Sequence, residues 1–267
     1  MSIAITEDHR SLAETVRSYA DKRNVRAAAR ARLESIDDTA PEFWSEFAEL
    51  GWLGLHLPED VGGSGYGIDE LVVVVEELAR AVAPGPFVPS AIASAVIAAA
   101  GDDELRSRFL PGFADGSTVG AVALGGSATM SGATVSGDAG VVLCGGPVSV
   151  LLVPVGDDVA VLEVGDGVTI ESPPSLDPSR PSVRVTLNGA PATVMPGARR
   201  VLIDLARVIL AADAVGVARE CTEMGADYSK ERIQFGRPIA MYQAVKHHCA
   251  NTVSYTHLRA HETTCCI

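Results

Sequence analysis

The sequence predicts an α+β fold: an N-terminal helical domain, a small and mostly antiparallel β-domain, then part of a second helical bundle. Three observations predict it. Apolar residues recur at helical spacing from residue 6 to about 115. Short β-branched runs separated by Gly-rich turns take over from about 117. Helical spacing then returns as one long run from about 198 to 232.

In chain order, Thr6 is placed to cap a helix whose apolar positions are Leu12, Val16 and Tyr19. A second helix starts near Pro41, buries Phe43, Phe47 and Leu50, and is stopped by Gly51. The run IDELVVVVEELARAV is apolar almost all round at its centre, which predicts a deep bundle position before Pro84 ends it. FVPSAIASAVIAAA (87–100) is Ala-rich and reads as a buried helix; it is shorter than the roughly 20 residues a bilayer span needs. VVLC, VSVLLVPV, VAVLEV and SVRVTL read as strands, with Val183, Val185 and Leu187 alternating with polar neighbours. The resulting division is 1–116 helical, 117–196 β, and 197–252 the start of a second helical domain. The closing VSYTHLRAHETTCCI carries no core stripe and resembles a translated adapter, so 253–267 is read as a non-native tail and set aside.

Composition narrows function. With 47% apolar and 21% charged residues the chain is globular. A net charge of −13 argues against a nucleic-acid partner, which needs a cationic footprint. The N-terminus lacks the apolar core of a secretory signal, which predicts a cytoplasmic protein. Cys144, Cys221, Cys249, Cys265 and Cys266 fit neither a zinc spacing nor a disulfide framework and read as reduced thiols.

Several motifs invite other readings. GGSGYG (62–67) does not follow G-x-G-x-x-G and lies outside any strand–turn–helix context, so it reads as a structural loop. His247, His248 and Cys249 are adjacent on a helix and project in different directions, which argues against a shared metal. Glu76 and Glu77 read as a solvated or subunit-facing edge rather than an acid–base pair.

The stretch YSKERIQFGRPIAMYQAVKHH (228–248) carries the strongest signal: a helix, a Phe-Gly-x-Pro break, then a helix opening with Gln. With LPEDVGGSG (57–65), EELAR (76–80) and the helix–strand–helix order, it resembles the acyl-CoA dehydrogenase family over almost all of 1–252. The resemblance implies an FAD-dependent α,β-dehydrogenation of an acyl-CoA thioester, with electrons passing to an electron-transfer flavoprotein. It further implies that Arg232 meets the FAD pyrophosphate, Phe235 the adenine, and Gln243 an adenosine or phosphate edge, with Gln234 as a weaker candidate. The FAD would be held mainly by a neighbouring subunit. The chemistry is apt. A planar guanidinium forks onto phosphate, a phenyl face shelves adenine, and an amide both donates and accepts.

The chain also departs from the family. Members carry Thr-Glu-Pro-x-x-Gly-Ser-Asp and aromatic-Ile-Thr segments at the flavin ring. Here those places read AVALGGSATMSG (121–132), with Ser127 as the candidate remnant, and VVLCGGPVSVLL (141–152). Where a minority of members place the catalytic glutamate, this chain has Ala206 followed by Arg207; most members place it beyond residue 267. No catalytic base is therefore assigned, and Asp204 is set on another side of the helix. The composition and QAVKHHCAN (243–251) are similar to the degenerate subunit of heteromeric actinobacterial, sterol side-chain type acyl-CoA dehydrogenases, cut short at the C-terminus. Two alternatives stay open: a homotetrameric dehydrogenase whose glutamate was lost by truncation, and a flavin-free assembly subunit.

Overall fold

A computed structural model describes residues 5–33 and 41–264, with side chains described up to 253. The expected order of helices, sheet and helices is what the chain adopts. Helices α1 (Glu7–Lys22), α2 (Val25–Ala31), α3 (Trp44–Glu49), α4 (Ile68–Arg80), α5 (Phe87–Ala100) and α6 (Asp103–Asp115) come first. Strands β1 (Gly120–Ala123), β2 (Thr129–Ser131), β3 (Thr134–Leu143), β4 (Val150–Val155), β5 (Asp158–Glu163), β6 (Val168–Glu171), β7 (Ser182–Pro191) and β8 (Thr193–Met195) follow. The long α7 (Arg199–Glu231) leads through a small hairpin, β9 (Ile233–Gln234) and β10 (Arg237–Pro238), into α8 (Gln243–Thr264).

Thr6 caps α1 as its sequence predicts: its Oγ1 accepts from the His9 N–H, and the Thr6 N–H donates to His9 Nδ1. α5 is buried on nearly every side, which its small residues permit. It packs on α6, α7 and β1, and so forms the centre of the molecule. The sheet runs β6-β7-β3-β1-β4-β5-β8, with β2 on β3. Within it only β1 and β4 pair parallel; every other pair is antiparallel. β4 is buried along its whole length, because the sheet has a core on both faces there.

Two expectations fail on facing. Leu50 is 46% exposed, because α3 is short and closes at Glu49 with Leu50 already in the turn before Gly51. Glu77, expected at an edge, is 3% exposed. It receives a bidentate grip from Arg17, Nη2 to Oε1 at 2.7 Å and Nε to Oε2 at 3.0 Å. Beside it, buried Arg80 donates to Glu220 and Glu223 of α7, Arg26 also reaches Glu220 (2.6 Å), and Arg219 reaches Glu76 (3.0 Å). Apolar packing shares this junction: α7 approaches α4 so closely that a Cβ at Gly216 would lie 2.2 Å from the Glu76 carbonyl oxygen. The ion-pair lattice therefore locks α1, α2 and α4 to the helix that carries the hairpin.

α8 continues through residues 253–264, where the sequence shows no stripe. Among the described residues no helix is long and apolar enough to cross a membrane, and Cys144, Cys221 and Cys249 are not in disulfides; Cys265 and Cys266 lie outside the described residues.

Candidate functional site

The break after α7 is a tight hairpin rather than a plain loop. Ile233 pairs with Pro238 and Gln234 with Arg237, leaving Phe235-Gly236 as the two turn residues. Their φ values are +51° and +78°. Positive φ at both positions is the signature of a type I′ turn, which usually selects Asn-Gly or Asp-Gly. Gly236 meets the demand freely. Phenylalanine in the first place costs about 1–2 kcal/mol of backbone strain.

That strain holds the phenyl ring out: Phe235 is 90% exposed. Tyr228, Ile233 and Met241, close in sequence, are exposed apolar side chains as well. The four predicted residues, Arg232, Gln234, Phe235 and Gln243, all lie exposed at this corner, flanking the turn and opening α8.

The corner is also cationic. After the exposed Glu231, residues 232–253 include Arg232, Arg237 and Lys246 and no Asp or Glu, in a chain of net charge −13. Among the described residues no carboxylate pairs with any of the three. The nearby Lys230 is by contrast taken by Asp227 at 2.7 Å. An uncompensated cluster beside an exposed aromatic suits an anionic aromatic ligand such as a dinucleotide.

In the segments that would line a flavin ring the backbone packs closely on its neighbours, while Gly125, Gly126 and Ser127 stay exposed. In 121–132, the Ser127 N–H donates to the Asp138 carbonyl (2.7 Å), and Gly126 packs so tightly that a Cβ would lie 2.6 Å from the same oxygen. In 141–152, the Gly145 N–H donates to the Pro181 carbonyl (2.9 Å), and a Cβ there would lie 2.5 Å from the Gly85 carbonyl oxygen. Ala206 is 2% exposed and sits in the main core with Leu202 and Ile209, so that turn of α7 offers no proton acceptor. Asp204 lies on the solvent side, 3.5 Å from both Arg200 and Arg207.

The glycine loop after Leu57 binds itself. The N–H groups of Gly63, Ser64 and Gly65 donate to the carbonyls of Pro58, Gly54 and Leu57. They are not available to a phosphate.

His9, Asp69 and Glu70 bring their ligand atoms within 4.8 Å of one another. His9 Nδ1 already accepts from the Thr6 N–H, so the ring's proton sits on Nε2, which faces Glu70 Oε1 at 3.3 Å. That tautomer leaves no lone pair for a metal. His9 and Glu70 bring the first turns of α1 and α4 together, with Nε2 buried and making no hydrogen bond.

Sequence reasoning did not single out Tyr242 or His56. Tyr242 donates its hydroxyl to the Gln234 carbonyl at 3.0 Å. His56 is held by Ser94, with burial pushing its pKa from 6.5 down to about 4. Neither contact has a local sequence signature, since each depends on how separate segments meet.

Known proteins share this fold. Residues 6–117 match the profile of the acyl-CoA dehydrogenase N-terminal domain, and residues 198–265 that of its C-terminal domain. The steroid ACAD Tcur3481-Tcur3483, solved as a G363A variant, superposes with a TM-score of 0.88 at 30% identity, over 98% of this chain and 78% of that one. The chain belongs to the acyl-CoA dehydrogenase family. Members of this family are FAD-dependent oxidoreductases. The acyl-CoA dehydrogenase FadE34 of Mycobacterium tuberculosis is 35% identical over 94% of this chain, which spans 36% of FadE34. The Mycobacterium tuberculosis ChsE4-ChsE5 complex gives a TM-score of 0.89 at 25% identity, over 99% of this chain and 78% of that chain.

Proposed function

We propose that this chain is a non-catalytic subunit of an FAD-dependent acyl-CoA dehydrogenase, and that it completes the FAD site of an adjoining homologous subunit. The observation that carries this reading is Phe235, held 90% exposed at φ +51° beside unpaired Arg232. A fold that sustains that strain and exposes that much apolar surface is built to place the ring against something. The corner fits the adenosine diphosphate half of FAD. Arg232 would fork onto the pyrophosphate, Phe235 would shelve the adenine, Gln243 would bond an adenosine or phosphate edge, and Gln234 is the secondary contact.

Bound FAD supplies the hydride acceptor, and this chain's share is to bind and orient its distal half. In this reading the partner supplies the proton acceptor, and the place on α7 where a minority of members carry it is the buried Ala206. The assembly takes an acyl-CoA as substrate and an electron-transfer flavoprotein as electron acceptor. Two similar proteins support a heteromeric form, one named as the ChsE4-ChsE5 complex and the other by the pair Tcur3481-Tcur3483.

The test counts flavin. The assembly purified through a tag on this chain is expected to hold one FAD for every two family subunits, while this chain alone is colourless. A yellow preparation of this chain alone, with one FAD per copy, would contradict the reading.

A further inference from the structure

The hairpin that presents Phe235 has two residue pairs, and its tip, Phe235-Gly236, is exposed. A hairpin that small does not hold itself, least of all with a strained aromatic in a type I′ turn. Something outside it fixes its shape. The half-buried Tyr242, one residue before Gln243, makes the contacts that do so.

The Tyr242 hydroxyl donates to the Gln234 carbonyl at 3.0 Å, which sets the orientation of the Gln234–Phe235 peptide. Its ring takes Phe235 edge-on, with centroids 6.4 Å apart and planes at 81°. The guanidinium of Arg237 lies over the same ring, 4.3 Å from its centroid. The Ile239 N–H closes the base of the hairpin on the Arg232 carbonyl at 2.8 Å. One side chain thus joins the finger tip, a cation of the second strand, and the helix that opens with Gln243.

We propose that Tyr242 is a positioning residue that locks the Phe235 finger in its binding shape, with Arg237 lying over its ring. This rests on the reading that Phe235 and Arg232 meet a dinucleotide. An edge-on aromatic contact and a cation–π contact both end on the Tyr242 ring, so ring and hydroxyl contribute separately. Because the finger addresses the adenosine half, the effect of Tyr242 should fall on FAD and spare FMN, which lacks that half.

The experiment titrates the deflavinated native assembly with FAD and with FMN. Tyr242→Ala is expected to weaken FAD roughly tenfold or more, the loss of both ring contacts and the hydroxyl bond, and to leave FMN within about twofold. Tyr242→Phe keeps the ring and should stay within about fivefold of the parent for FAD, the scale of one hydrogen bond. Arg237→Leu, which leaves Tyr242 packed, should weaken FAD about threefold more than Lys246→Leu, which removes a charge of the same corner but no contact with the ring. If Tyr242→Ala does not assemble, the Phe and Leu variants decide. Unchanged FAD binding in Tyr242→Ala, no greater loss in Arg237→Leu than in Lys246→Leu, or equal weakening of FAD and FMN, would overturn the proposal. Phe235→Ala separates the two levels. If it leaves FAD binding unchanged, the underlying reading fails. If it weakens FAD while Tyr242→Ala does not, only the positioning role fails. An assembly that takes up no FAD overturns both.

Discussion

His56 gives this chain a pH-dependent stability whose size follows from its surroundings. Its Nε2 lies 3.0 Å from Ser94 Oγ, and Ser94 in turn donates to the Ala91 carbonyl. Nε2 therefore carries the proton, and the buried Nδ1 is left with no partner. Charging this ring would place a cation among apolar side chains, so burial lowers its pKa from 6.5 to about 4. Above pH 6.5 the ring is neutral in both folded and unfolded chains, and the contribution is fully present. Between 6.5 and about 4 the unfolded chain takes up a proton that the folded one refuses, so stability falls as pH falls. The full span amounts to about 3 kcal/mol, of which about 2 kcal/mol is lost by pH 5. Urea unfolding of the parent and of His56→Gln, compared from pH 4.5 to 7.5, isolates this contribution from the background of titrating carboxylates. The stability advantage of the parent should shrink by about 2 kcal/mol from pH 7.5 to pH 5. Parallel pH profiles would show that His56 is not buried neutral and refute the reasoning.

Three further outcomes follow from the same geometry. Glu77→Ala removes the bidentate partner of Arg17 while Arg80 keeps Glu220 and Glu223, and should cost about 2 kcal/mol in urea unfolding. Gly145→Ala adds a Cβ 2.5 Å from the Gly85 carbonyl oxygen at φ +86°, and should cost more than about 2 kcal/mol by the same measurement. Arg232→Ala removes charge-assisted bonds to a pyrophosphate, and should lower FAD affinity of the native assembly roughly tenfold or more while its melting temperature in the flavin-free form stays put.

What the sequence disclosed was local and periodic. The α1 cap at Thr6 and the burial of 87–100 follow from nearest neighbours and from side-chain size, and both are as expected. The four corner residues were legible as a motif, and their common exposure at one hairpin is a structural addition. Long-range pairing was not legible. Glu77 sits in a charged-looking EELAR stretch, and its partner Arg17 lies 60 residues earlier. Leu50 fits an apolar stripe, yet α3 ends before the stripe reaches it. Tyr242 looked like one more aromatic because its role exists only once the Phe235-Gly236 turn brings Gln234 back over it.

The central claim, that the Phe235 corner grips a dinucleotide seated in another subunit, is tested most directly by a cryo-EM map of the native assembly with FAD bound. The account predicts the Phe235 ring stacked at van der Waals distance, about 3.5–4 Å, on an adenine whose flavin ring lies in the neighbouring subunit, with Arg232 on its pyrophosphate. A map that leaves this corner in bulk solvent, with every FAD complete without it, would contradict the account.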